Sequence, residues 1–256
     1  MDYTSDPLLI QCYEDVKELF ESNPKRVFYT RQIEVLLEKR YFHWLTNKAI
    51  RELHAAGIIL MEEGAMTTGG TAKLYWLKSH RYYKRGFNEV LSLIDEFSSP
   101  DITATIGDMG ELLVCEAFCR NGFSILSTEF NEYDGKKWTE TAHDIDFLFE
   151  RDGQAYGVEI KNTLPYMETK EFNIKVAMCN HLGIRPLFVN RYFPGNFARG
   201  LQMNGGFAFT MKYQFYPRGL KDLVSRIQDT LDLPVDCPRR IEQGTMDRLL
   251  NWHKKL

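Results

Sequence analysis

The residues best suited to chemistry lie in two short stretches joined by a tight turn. In HDIDFLFE, Asp144 and Asp146 fall on one face of an expected strand and Ile145, Phe147 and Phe149 on the other, by the period-two alternation of extended chain. The turn Arg151-Asp152-Gly153-Gln154 closes a hairpin onto AYGVEIKNT, where Glu159 and Lys161 point one way and Val158 and Ile160 point back to the core. Acids on one strand thus face a Glu and a Lys on its neighbour, an arrangement suited to phosphodiester hydrolysis. Carboxylates hold one or two Mg²⁺ ions, for which Mn²⁺ can substitute, and the ions polarise the phosphate and acidify a water. The lysine stabilises developing charge or orients the nucleophile.

A third carboxylate comes from GDMGELLVCEAFCRN, an expected helix over residues 107–121 stopped by Gly122. Glu116 and Arg120, four apart, mark its wet face, whereas Glu111 shares the opposite side with Val114, Cys115 and Phe118. A charge centred on an apolar face needs a partner, so a metal, its waters or a basic side chain from elsewhere is expected to meet Glu111.

The stretch DFLFERDGQAYGVEIK resembles the core motif of the PD-(D/E)xK (restriction-endonuclease-like) nuclease superfamily, in which an Asp at the end of one strand precedes a Glu-x-Lys on the next. The thirteen-residue step from Asp146 to Glu159 is similar to that of archaeal Holliday-junction resolvases, which also place a Glu on the preceding helix, as Glu111 in GELLVCEAF does here. The resemblance spans roughly residues 105–190, with AMCNHLGIRPLFVNR matching the helix and strand that usually follow. It implies catalytic roles for Glu111, Asp146, Glu159 and Lys161, with Asp146, Glu159 and Glu111 as metal ligands. The familiar Pro before Asp is missing: His143 precedes Asp144 and Ile145 precedes Asp146, so Asp144 is a further candidate ligand, although the spacing favours Asp146. The Gln-containing motif of exonuclease-like branches is also missing. Lys170 and Lys175 are expected to meet phosphate or solvent rather than to take part in the chemistry.

Upstream, residues 7–22, the stretch from Thr30 through RQIEVLLEK, and residues 45–56 ending at Gly57 read as three helices. Residues 58–62 and AKLYWLK read as two strands around the turn GAMTTGG. This order resembles a winged helix-turn-helix domain. On the third helix Leu45, Ala49, Leu53 and Ala56 form a core stripe, leaving Asn47, Lys48, Arg51 and His54 to face a DNA groove. Lys73 on the wing and Arg81, Lys84 and Arg85 after it are further phosphate-contact candidates. Residues 25–85 hold twelve Lys and Arg against five Glu, a local balance of +7 in a chain of net charge −3. A basic module can track phosphates, and the acidity elsewhere suits a cation.

The 256 residues, 44% hydrophobic and 26% charged, suffice for one large domain or two modest ones. The opening MDYTSDPLLI lacks the apolar run of a secretion signal, and no apolar stretch nears the roughly 18 residues of a membrane span, so a cytoplasmic protein with no membrane partner is expected. Five cysteines at irregular spacing suggest reduced thiols, with Cys115 and Cys119 as buried core residues.

The expected fold is α/β: a restriction-endonuclease-like mixed sheet flanked by helices, preceded by a winged-helix (α+β) domain. The expected divisions are 1–86 for the winged helix, 87–100 for a connecting helix with a boundary at Ser98-Ser99-Pro100, 101–217 for the nuclease domain, and 218–256 for a helical extension that covers the sheet or forms a dimer contact. GGFAFTMKYQFY reads as one more strand of the sheet. The expected function is a Mg²⁺-dependent DNA endonuclease of restriction or defence type. A junction or repair nuclease and a non-catalytic DNA-binding regulator are the alternatives. Cutting both strands of a duplex requires two active sites, which makes a homodimer an expectation of the first reading.

Overall fold

The computed structural model describes residues 6–256, which form two compact units. The first runs to Thr103 and also includes Asp222–Leu233; the second comprises Ala104–Lys221 and Pro234–Leu256.

In the first unit, α1 (Pro7–Glu21) begins at Asp6, whose side chain accepts from the Leu8 amide, with proline in the first turn. Then come β1 (Phe28–Tyr29), α2 (Thr30–Leu37), α3 (His43–Ala55), β2 (Ile59–Ala65), β3 (Thr71–Leu77) and α4 (Lys84–Phe97). The strands form an antiparallel sheet in the order β1-β3-β2. Leu9, Cys12, Val16 and Phe20 of α1 and Leu45, Ala49 and Leu53 of α3 recur at helical spacing and share one buried cluster with Phe28, Ile33 and Tyr75. Gly57 at φ +68° ends α3 in the left-handed conformation that a side chain disfavours.

The second unit is built on α5 (Pro100–Arg120), β4 (Ser124–Phe130), a short hairpin of β5 (Glu132–Tyr133) and β6 (Lys136–Lys137), β7 (Ile145–Arg151), β8 (Gln154–Lys161), α6 (Thr169–Leu182), β9 (Arg185–Asn190), α7 (Gly195–Met203), β10 (Phe207–Thr210) and β11 (Gln214–Phe215). The chain then forms α8 (Lys221–Leu231), β12 (Val235–Asp236) and α9 (Gln243–His253). Five strands make a mixed sheet in the order β10-β9-β8-β7-β4, parallel from β10 to β8 and antiparallel from β8 to β4. One face is covered by α5 and α9, through Leu113, Val114, Phe118, Met246 and Leu249 against Phe149, Tyr156 and Val158. The other is covered by α6 and α7, through Phe172, Cys179, Phe197 and Leu201 against Ile145, Leu148 and Phe188. The fold is thus α/β, a mixed sheet flanked by helices.

Several sequence expectations need correction. Residues 87–97 form the expected helix but belong to the first unit instead of connecting the two: Phe87, Val90, Leu93 and Ile94 bury one face of α4, and Phe87 meets Trp76 edge-on at 6.2 Å. The stretch 205–216 is not one strand, because β10 stops at Thr210 and β11 pairs with β12 in a separate two-stranded sheet. The 218–256 segment is split between the units. α8 sits in the first, with Gln32 Nε2 donating to Leu231 O at 3.0 Å and Arg226 forked onto Glu96, while α9 covers the second unit's sheet. Edge strand β4 has no sequence signal because SILSTEF is exposed over six of its seven residues and carries no inside–outside alternation. Cys119 is exposed and Cys115 half-buried, so only one side of that helical turn is core.

The end of β8 is fixed by Asn162, 4% exposed. Its Nδ2 donates to Ile106 O at 2.8 Å and Phe215 O at 2.7 Å, while its Oδ1 accepts from Phe215 N at 2.7 Å. α5 comes this close only because position 110 is glycine: a Cβ there would stand 2.4 Å from that of Asn162. Asn162 therefore ties β8, α5 and β11 together one residue beyond Lys161. Asn162→Ala is expected to cost several kcal/mol in urea-unfolding measurements, at about 1–3 kcal/mol for each buried group left without a partner. A loss below about 1 kcal/mol would show that water replaces the amide.

Candidate active site

β7 and β8 are paired from Arg151 and Gln154 to Phe147 and Val158, and then part. Past that point the side chain of Asp146 bridges the strands, its Oδ2 accepting from the Ile160 amide at 2.7 Å. The parting also breaks the alternation expected of β7. Phe147 and Phe149 enter the cluster under α5 and α9, but Ile145 crosses to the α6 side with Leu148. Asp144 lies just before the strand and is exposed; its backbone oxygen, not its carboxylate, is engaged, accepting from Lys175 Nζ.

On β8 the alternation holds. Tyr156, Val158 and Ile160 face α5 and α9, so Glu159 faces α6, where it is 0% exposed. Two ammonium groups meet it there. Lys175 Nζ, from α6, donates to Glu159 Oε2 at 2.7 Å. Lys161 Nζ lies 3.1 Å from Glu159 Oε1 and 3.0 Å from Glu171 Oε1 on α6. Lys175 corrects the sequence expectation: only 6% exposed, it meets a carboxylate rather than solvent or phosphate, whereas Lys170 is exposed. The sequence does carry a signal for it, since Phe172, Val176 and Cys179 lie at i−3, i+1 and i+4 on the buried face of α6.

Glu111 is also placed differently from the expectation. The buried stripe of α5 runs through Ile106, Gly110, Leu113, Val114, Ala117 and Phe118, and Glu111 is exposed beside it. Gly110, one residue earlier, makes the close contact at that turn. Partial burial raises the Glu111 pKa, helped by the charges of Asp108, Glu129 and Glu159 and opposed by Lys161. Glu111 therefore sits at the rim of the same electrostatic site.

Burial is the main influence on the two central acids. It raises the pKa of Asp146 against the Ile160 amide and the two lysines, with Glu111 adding to the rise. It raises that of Glu159 too, with Asp146 adding and Lys161 and Lys175 opposing. Burial would pull Lys161 down, but Glu159 and Glu171 hold it above its ordinary value. Lys161 is thus an ammonium at neutral pH.

Among the described residues no three His, Cys, Asp or Glu side chains are gathered closely enough to hold a metal ion. One oxygen of Glu159 is nevertheless held by an ion pair alone. This Oε1 is buried and forms no hydrogen bond, since the approach of Lys161 lacks hydrogen-bond geometry. A buried carboxylate oxygen without a hydrogen bond, beside the half-buried Asp146 carboxylate, fits a hard divalent cation with oxygen ligands. Glu159 and Asp146 would hold it, with Glu111 at the rim.

In the first unit the nominated surface residues divide. Asn47 donates to buried Glu34, which also takes Arg31 at 2.6 Å, so Asn47 ties α3 to α2. Lys48 lies 3.8 Å from Glu52, Lys73 lies 3.6 Å from Glu63, and Lys84 donates to both oxygens of Glu62 at 2.9 Å. Arg51, His54, Arg81 and Arg85 are exposed. Trp44, which the sequence pattern does not single out, is 52% exposed one turn before Lys48 on α3.

No family model matches the chain, and no curated protein matches it. Among solved structures, the crystal structure of protein VC1899 from Vibrio cholerae aligns with 90% of this chain at 12% identity and a TM-score of 0.28. The chain spans 58% of that structure's length. Similarity at that level supports no inference about fold or function.

Breaking a buried ion pair commonly costs about 3–5 kcal/mol. Because the Glu159 pKa is raised, its ionisation leaves stability intact at low pH and lowers it as pH climbs through the raised pKa. Lys175→Met raises that pKa further. The variant is expected to lose about 3–5 kcal/mol at pH 8 and to recover much of it by pH 5 in denaturant titrations. Adding Glu159→Gln should remove that pH dependence, whereas a pH-independent loss would assign the role of Lys175 to the packing of its stem.

Proposed function

We propose that this chain is a Mg²⁺-dependent DNA endonuclease whose second unit cuts and whose first unit holds the substrate. The observation that carries the reading is half-buried Asp146 beside fully buried Glu159 where β7 and β8 part, with Lys161 on Glu159. A PD-(D/E)xK site requires the same order of groups: an acid on one strand, then Glu-x-Lys on the next. The mixed sheet flanked by helices is compatible with a restriction-endonuclease-like fold. In the first unit, the succession of three helices and a hairpin is compatible with a winged helix.

A divalent cation bound here would supply Lewis-acid polarisation of the phosphate and a more acidic water. The chain's own residues do the rest. Asp146 and Glu159 contribute hard oxygen donors, and the Ile160 amide fixes the orientation of Asp146. Lys175 holds Glu159 in place through Oε2. Lys161, kept protonated by two carboxylates, stabilises negative charge developing on the phosphate and does not act as a base. Exposed Arg51 on α3 would read a base edge, while Arg81 and Arg85 would contact phosphates. Restriction or defence fits the joining of a reading unit to a cutting unit.

One observation favours a second reading, a DNA-binding regulator without catalysis: the charge of Glu159 is already countered by two lysines of the chain itself.

The deciding experiment incubates the protein with Mg²⁺ and linear, supercoiled, single-stranded and branched DNA. Discrete fragments from linear duplex are expected. Asp146→Asn, Glu159→Gln and Lys161→Ala should each reduce cleavage by at least about 10²-fold, the scale of losing one electrostatic group at a reacting centre, while leaving DNA binding intact. Arg51→Ala should change which sites are cut. Full activity in any of the first three variants would remove that residue from the site, and binding without cleavage by the unaltered protein would establish the regulator.

A further inference from the structure

The two lysines at Glu159 are not equivalent. Lys175 is locked: its side chain is 8% exposed, and its ammonium donates at once to Glu159 Oε2 and to the backbone oxygen of Asp144. Lys161 is shared: its side chain is 31% exposed, and its ammonium stands between two carboxylates at nearly equal distances, 3.1 Å from Glu159 and 3.0 Å from Glu171. It also faces the one Glu159 oxygen that forms no hydrogen bond. A cation attracted by Asp146 and Glu159 would take that oxygen, and Lys161 stands in its way.

From this geometry we infer that Glu171 is a positioning residue that retains the Lys161 ammonium when a divalent cation displaces it from Glu159. The inference rests on the metal-site reading above. Lys175 stays on Oε2 and keeps the Glu159 carboxylate oriented. Lys161 releases Oε1 and remains within the site, because Glu171 on the first turn of α6 already holds its other side. Without Glu171, Lys161 would have Glu159 alone within ion-pair distance and would compete directly with the incoming ion. Glu171 thus leaves Lys161 with one ion pair while the cation takes over its place on Glu159.

The test measures Mg²⁺ binding by isothermal titration calorimetry on the full chain, without DNA, so that it does not depend on turnover. Glu171→Gln is expected to weaken Mg²⁺ binding about tenfold, the lower end of what loss of an outer-shell partner does to a metal site. In a Lys161→Ala background, where no competing ammonium remains, Glu171→Gln should change the affinity by less than about twofold. Circular dichroism confirms that each variant is folded. Equal weakening in both backgrounds would overturn the inference, because Glu171 would then act on the ion through its own charge or a water. No weakening in either background would overturn it as well, while leaving the metal site intact. If the unaltered chain binds no Mg²⁺, the metal-site reading and this inference fall together.

Discussion

Glu159 is a carboxylate with no access to water, held in the middle of a sheet whose two faces are both covered by helices. Burying such a charge is costly unless opposite charge and hydrogen bonds accompany it. Much of the local architecture meets that requirement. α6 brings Lys175 to one oxygen and Glu171 to the far side of Lys161, and Lys161 reaches back along β8 to the other oxygen. A purely structural strand could place an apolar residue here and avoid the cost. A carboxylate kept in so unfavourable a place, with one oxygen left without a hydrogen bond, is the physical basis for reading the site as functional.

The parting of β7 from β8 supplies the rest. Where paired backbones would fill the space between strands, the Asp146 side chain takes the Ile160 amide and brings a second, half-buried carboxyl to the same place. Fixed side chains in a low-dielectric setting interact strongly, so each acid is sensitive to its neighbours. Asn162 holds the strand end rigid by satisfying three backbone groups on two other elements. The C-terminal end of β8 is thus anchored from several sides, as a preorganised site requires.

In the first unit the positive charge is concentrated on fewer side chains than the tally of basic residues implies. Of the residues nominated for DNA contact, Lys73 and Lys84 are paired with Glu63 and Glu62, and Asn47 is engaged with Glu34. Exposed pairs of this kind contribute little to stability, but they reduce the positive charge presented to a phosphate. Arg51, Arg81 and Arg85, with Trp44 on the same helix as Arg51, are the exposed groups that a DNA-holding surface would use.

The sequence by itself determined the elements that local spacing and stop residues mark: α1, α3 and α5, the β7–β8 hairpin, and the alternation that sets Glu159 against Val158 and Ile160. These depend on local spacing, which a folded chain retains. Tertiary structure decided which side of an element is covered and by what. Lys175 became the fixed partner of Glu159 because α6 packs on that face of the sheet. Glu111 moved to the rim because Gly110 lets α5 approach Asn162. Ile145 changed sides because β7 leaves its partner at Phe147. Each outcome depends on packing between residues far apart in the chain, and no periodicity within a single segment encodes such packing.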